Sequence, residues 1–190
     1  MEQIVQLNSQ AKLSEHLASP SVAALSHSSE LNGLRLTPHF SLGEVTKSKH
    51  AEVYNIPSHV AIENLKRVCG WLEELRFTYN TLYSLKPGED YETSENVEPI
   101  VINSGFRSPQ LNKKVGGSPT SNHLTGCAVD IKVAGIEQAM RYAVILMDYA
   151  DETKQDYDEL FIEKNRYGTI WLHFAVRPKD NRRKTMFLQN

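Results

Sequence analysis

Ile62, Leu65, Val68, Cys69, Leu72 and Leu75 follow one another at three- and four-residue steps. That spacing lines one face of an α-helix. Ser58 ahead of the run is a good N-cap, so the pattern predicts a helix from there to about Phe77 with one face in a core. A second helix is predicted from 136 to about 149, where Ala139, Met140, Ala143, Val144 and Met147 recur at the same period. Elsewhere the apolar runs are short. Ile100, Val101 and Ile102 predict a strand over 99–103. Residues 127–133 alternate and predict a second strand, carrying Asp130. The runs 159–163 and 169–176 flank Asn165-Arg166-Tyr167-Gly168 and read as two strands of a hairpin. Ser41 and Glu44 have capping-box spacing and start a short helix. Ser108-Pro109 pairs an N-cap with a first-turn proline and opens another, to about Val115, which Gly116-Gly117-Ser118-Pro119 stops. Helices followed by antiparallel strands predict an α+β domain, a small antiparallel sheet with flanking helices.

The flanks lack this patterning. Residues 1–36 are rich in Ser, Asn, Gln and Leu, broken at Ser19-Pro20-Ser21. They read as a peripheral or partly disordered arm with room for helical fragments over 11–17 and 22–25. The domain is expected over 37–178, with 179–190 as a basic tail. The chain of 190 residues has a net charge of −2, which gives no global pull toward nucleic acid. Arg177, Lys179, Arg182, Arg183 and Lys184 concentrate positive charge near the end and read as a solvated tail rather than a polyanion site. No apolar run is long enough to span a bilayer. The N-terminus shows neither a basic n-region nor an apolar h-region, so a cytoplasmic site of synthesis is expected. Cys69 and Cys127 are too few for a disulfide framework. They read as reduced core residues, with a bridge between them left open.

The candidate chemistry lies in Ser121-Asn122-His123-Leu124-Thr125-Gly126-Cys127-Ala128-Val129-Asp130 and in Ile170-Trp171-Leu172-His173-Phe174. His123, Asp130 and His173 supply two imidazoles and a carboxylate, a ligand set for catalytic zinc that leaves one position for water. Zinc lowers the pKa of such a water to roughly 7. Gly126 allows the turn that would bring His123 and Asp130 to one ion.

Ser121, His123, Gly126, Ala128 and Asp130, with His173, resemble the zinc D-alanyl-D-alanine carboxypeptidase family, metallopeptidases of the bacterial cell wall that share a fold with the hedgehog signalling domain. Asn103-Ser104-Gly105-Phe106-Arg107-Ser108, Leu111-Asn112 and Val115-Gly116-Gly117-Ser118 extend the resemblance. Phe40-Ser41-Leu42-Gly43-Glu44 with Thr46-Lys47-Ser48 is similar to the opening of a C-terminal-type subfamily of bacteria and phages. The resemblance covers about Phe40 to Val176. It implies a hedgehog/DD-peptidase-like fold and a Zn2+ ion on His123, Asp130 and His173. It gives Arg107 the part of a substrate-binding and charge-stabilising arginine, a structural salt bridge being the other reading. Ser121 either bonds substrate or holds its loop. Some relatives carry an acid three residues before the last histidine, where this chain has Ile170. Others carry it on the preceding strand, which makes Glu163 the candidate general base, with Asp158 and Glu159 behind it. Trp171 replaces a histidine found in some relatives and is read as a wall of the substrate cleft, partly packed.

Glu163 joins the face of Trp171 and His173 if the hairpin pairs it with Thr169, and turns away if it pairs with Ile170. The expected activity is that of a zinc-dependent peptidase cleaving peptidoglycan stem peptides with metal-activated water, as a carboxypeptidase on D-Ala-D-Ala or an endopeptidase on an L-Ala-D-Glu type of bond. The alternative is a zinc-containing module that binds cell-wall peptide without cleaving it. The stem peptide is the expected partner, with no nucleic acid and no stable membrane insertion; a substrate outside the membrane would put the site of action in the cell wall and require an unconventional exit or release by lysis.

Overall fold

The computed structural model describes residues 32–189, and the helical fragments expected over 11–17 and 22–25 lie outside them. The chain runs through α1 (Leu42–Thr46), α2 (His59–Tyr79), β1 (Ile102–Ser104), α3 (Pro109–Lys114), a short 3₁₀ turn (Asn122–Thr125), β2 (Ala128–Lys132), α4 (Ile136–Thr153), β3 (Glu159–Lys164), β4 (Ile170–Ala175) and β5 (Lys184–Gln189). The architecture is α+β. A five-stranded sheet has the order β1-β2-β4-β3-β5, antiparallel throughout except for the parallel β3–β5 pair.

Local signals set most element starts. The Ser41–Glu44 capping box forms in both directions, and Ser58 and Ser108 cap α2 and α3 through their side chains. The helix α2 runs two residues past Phe77 and then widens into a π turn over Asn80–Ser84. The fully buried Asn80 accounts for that extension. Its side chain donates to the Arg76 and Glu98 carbonyls and accepts from the Glu98 N–H. A single amide thereby ties the end of the helix to the polar loop that returns toward β1.

The sheet has two unlike faces. Val129, Ile131, Leu160, Ile162, Leu172 and Phe174 alternate onto one face and join Leu65, Val68, Leu72 and Leu75 of α2 and Ala139, Tyr142 and Leu146 of α4 in one apolar core. Asp130, Trp171, His173, Glu159, Phe161 and Glu163 occupy the opposite face. Cys69 and Cys127 are both buried and free, and burial pushes the Cys69 thiol up to about 12.

Residues 184–189, expected within a solvated basic tail, form the edge strand β5 instead. An edge strand has one unpaired side, and β5 is exposed along nearly its whole length without a buried alternation, directly after the basic residues. Composition therefore reads it as a tail, whereas its backbone completes the sheet.

Leu72 is fully buried between the helices and the sheet. Leu72→Ala should lower unfolding free energy by about 2–5 kcal/mol, measured by urea denaturation.

Candidate active site

The register of β2 against β4 places Asp130 directly opposite His173. Asp130 Oδ1 lies 2.9 Å from His173 Nδ1 and 3.3 Å from His123 Nε2. One ligand atom from each residue lies within 4.8 Å of the others. All three side chains are at least nine-tenths covered as residues, His123 at 2%, His173 at 7% and Asp130 at 8% exposure.

His123 arrives on the 3₁₀ turn. Ser121 caps that turn by accepting from the His123 N–H, which answers for its loop-holding part. Gly126 ends the turn at φ 72, where a Cβ would meet the Ala61 carbonyl at 2.5 Å. Glycine is required there for both conformation and space. The other ring nitrogen, Nδ1, sits 2.6 Å from the Gly105 carbonyl. A carbonyl only accepts, so Nδ1 carries the proton and Nε2 turns its lone pair toward Asp130. Gly105 is itself fixed, because a Cβ there would stand 2.2 Å from the Val45 carbonyl at the end of α1.

His173 is held in the complementary sense. Its Nε2 faces Glu159 Oε2 at 3.4 Å, and its ring stacks on Phe161. An Nε2–H donating to Glu159 leaves the Nδ1 lone pair facing Asp130. Both imidazoles thus carry an outer hydrogen bond that selects the tautomer, as metal-binding histidines do. Two neutral nitrogens and a carboxylate oxygen converging at this spacing fit zinc.

In the metal-free chain a proton on His173 Nδ1 faces Asp130, and zinc would take its place. Burial opposes ionisation of Asp130, but His123 and His173 outweigh it and hold the carboxyl far below the usual range. Burial lowers His123, with Asp130 offsetting part of that effect. Burial also works against protonated His173, yet the hydrogen bonds to Asp130 and Glu159 prevail and raise it to about 9.

Around this cluster opens a cleft of about 350 Å³ whose walls include Arg107, Ser121, Glu163 and Trp171. Arg107 donates to Asp130 Oδ2 at 2.5 Å and to Ser104 Oγ at 2.9 Å. The salt bridge expected as its structural role is therefore present, and the same guanidinium lines the cleft. The register pairs Glu163 with Trp171. This is two positions from a Thr169 pairing and has the same parity, so Glu163 shares the face of His173. Trp171 is half-buried and borders the cleft, as Glu163 does. Ile170 packs against the core on the other face. Of the two remaining acids, Glu159 is engaged by His173, Asn122 and Arg182. Asp158 is fully buried in ion pairs with Arg177 and Arg182.

Sequence reasoning missed the outer partners of the imidazoles. The Gly105 carbonyl leaves no side-chain signal at all. Glu159 has one, since it lies an even number of positions from Glu163 on the same strand.

Residues 89–158 match the family model described as Peptidase M15. Over that segment the chain is similar to this family, and the architecture around it is α+β. The match spans less than half of the chain. It includes Arg107, Ser121, His123 and Asp130 and ends before Glu163, Trp171 and His173, which the β2–β4–β3 pairing brings to the M15-type motif. M15 members are zinc peptidases, so the match supports a metallopeptidase. No curated protein matches the chain. No helix among the described residues is long and apolar enough to cross a membrane.

A histidine whose folded pKa is raised adds stability that is fully present below its unfolded value of roughly 6.5, and that stability is lost as pH rises through about 9. Zinc must displace the same proton. Chelator-stripped protein should therefore bind zinc more tightly as pH climbs from 6.5 toward 9. About one proton should be released per zinc near pH 7.5, read by calorimetry in buffers of different ionisation enthalpy. Zinc binding without proton release would show His173 to be neutral already.

Proposed function

We propose that the chain is a zinc-dependent peptidase acting on peptidoglycan stem peptides, with His123, Asp130 and His173 as the metal ligands. The observation that carries this reading is the convergence of the three groups on the floor of a cleft that Arg107, Glu163 and Trp171 also line. Zinc bound there supplies a Lewis acid and makes water nucleophilic near neutral pH.

The chain's own groups divide the remaining work. Glu163 accepts a proton on its carboxylate from the attacking water and passes it to the leaving amine, which requires its position on the metal-side face. Arg107 holds negative charge on the substrate through its planar fork. Its bond to Ser104 keeps the guanidinium at the cleft edge. Trp171 gives the peptide an apolar wall and helps exclude water. Ser121 sets the His123 turn and offers a hydroxyl to the cleft. The bond cut is that of a terminal D-Ala-D-Ala or of an internal L-Ala-D-Glu type.

The test is mass spectrometry of muropeptides incubated with zinc-loaded protein. Zinc-dependent release of an amino acid or peptide is expected. His123→Ala should abolish it together with zinc content. Glu163→Gln should keep zinc and lose about 10²–10⁴-fold in rate. Zinc-loaded protein that retains muropeptides and cleaves none would make it a binding module, and unchanged activity in both variants would remove the mechanism. Arg107→Lys keeps the charge without the fork and should cost about 10²-fold in kcat/KM.

A further inference from the structure

The basic residues between β4 and β5 reach the metal-side face from below. Arg182 donates through Nε to Asp158 Oδ1 at 2.8 Å and through Nη2 to Asp158 Oδ2 and Glu159 Oε1, each at 2.6 Å. Its backbone is fixed as well. The Arg182 N–H reaches Asp158 Oδ1, and Arg183 and Lys184 donate their N–H groups to the carbonyls of Tyr157 and Asp158 as β5 begins. Glu159 presents its other oxygen to His173 Nε2 at 3.4 Å and accepts there from Asn122 Nδ2 at 2.8 Å. Asn122 adjoins His123 in the chain and also bonds Asp158. Asn122 anchors the oxygen that faces His173, and Arg182 is the cation that holds the outward one.

We propose that Arg182 is a positioning residue of the metal centre: by clamping Glu159 against His173 Nε2, it fixes the imidazole with Nδ1 turned toward Asp130. The inference rests on the reading of His173 as a zinc ligand. It gives the C-terminal segment a function in the site, namely carrying a guanidinium to the back of a ligand. Asp158 keeps Arg177 at 2.9 Å when Arg182 is replaced, so the buried carboxylate retains a cation and the variant is expected to fold.

The experiment measures zinc affinity by competition with a chromophoric chelator and the visible spectrum of the cobalt-substituted protein, with melting curves of chelator-treated protein as the folding control. Arg182→Gln should weaken zinc binding about 10-fold or more and shift the cobalt bands, the scale expected for loss of an outer partner. Arg182→Lys should restore part of the affinity, because an ammonium reaches one carboxylate without the fork. Glu159→Ala should match Arg182→Gln, and the double variant should be no weaker than Glu159→Ala alone. Wild-type affinity and spectrum in Arg182→Gln would overturn the proposal, as would additive losses in the double variant. A wild-type protein that binds neither zinc nor cobalt would overturn the ligand reading and this proposal together. Binding by the wild type with no change in the variants removes Arg182's role alone.

Discussion

The antiparallel pairing of β2 with β4 is the constraint on which the site depends. It sets Asp130 across from His173 and brings a carboxylate and an imidazole from distant parts of the chain to 2.9 Å. An ionised carboxylate buried in this way is costly unless it is paired. Asp130 is met by His123, His173 and Arg107 together, and those partners keep it ionised. Displacing the His173 proton would turn the same groups into an inward-facing donor set, each imidazole keeping its outer hydrogen bond. Structural compensation and metal-binding chemistry therefore arise from one arrangement.

The two faces of the sheet let this polar cluster coexist with a stable fold. Alternation sends Val129, Ile131, Leu172 and Phe174 into the apolar core, while the intervening Asp130, Trp171 and His173 stay on the cleft side. Core packing on one face thus fixes the strand positions that the other face uses. Close backbone approaches add rigidity at the rim. Gly105 packs on the end of α1, and Gly126 packs on the first turn of α2, so the loops carrying Arg107 and His123 are seated on helices. Asn55 reinforces the same rim by donating to the carbonyls of Thr46 and Phe106 and accepting from the Ser108 N–H.

The C-terminal arginines show how composition and structure can diverge. A basic run reads as solvated charge because its pattern lacks a buried period. Asp158 and Glu159, the partners of Arg182, lie 24 and 23 positions earlier at the start of β3, and only the chain's return along β4 puts them in reach. Asp158 likewise looks like a spare acid in the sequence, yet the fold buries it between two arginines and so takes it out of the cleft.

Local physics made the helices, their Ser caps, the Gly126 turn and the residue types of the site legible from the sequence, because periodicity, capping and left-handed turns are decided within a few residues. His123 and Asp130 stand seven positions apart with that turn between them, so their convergence was also readable. The sequence could pose the question of Glu163 but could not answer it. Its facing depends on hairpin register, and a slip of one residue reverses every side chain. The observed Glu163–Trp171 pairing resolves it. The Gly105 carbonyl behind His123, Glu159 behind His173 and the β5 strand alongside β3 belong wholly to tertiary structure, since they arise from contacts between segments that share no local pattern.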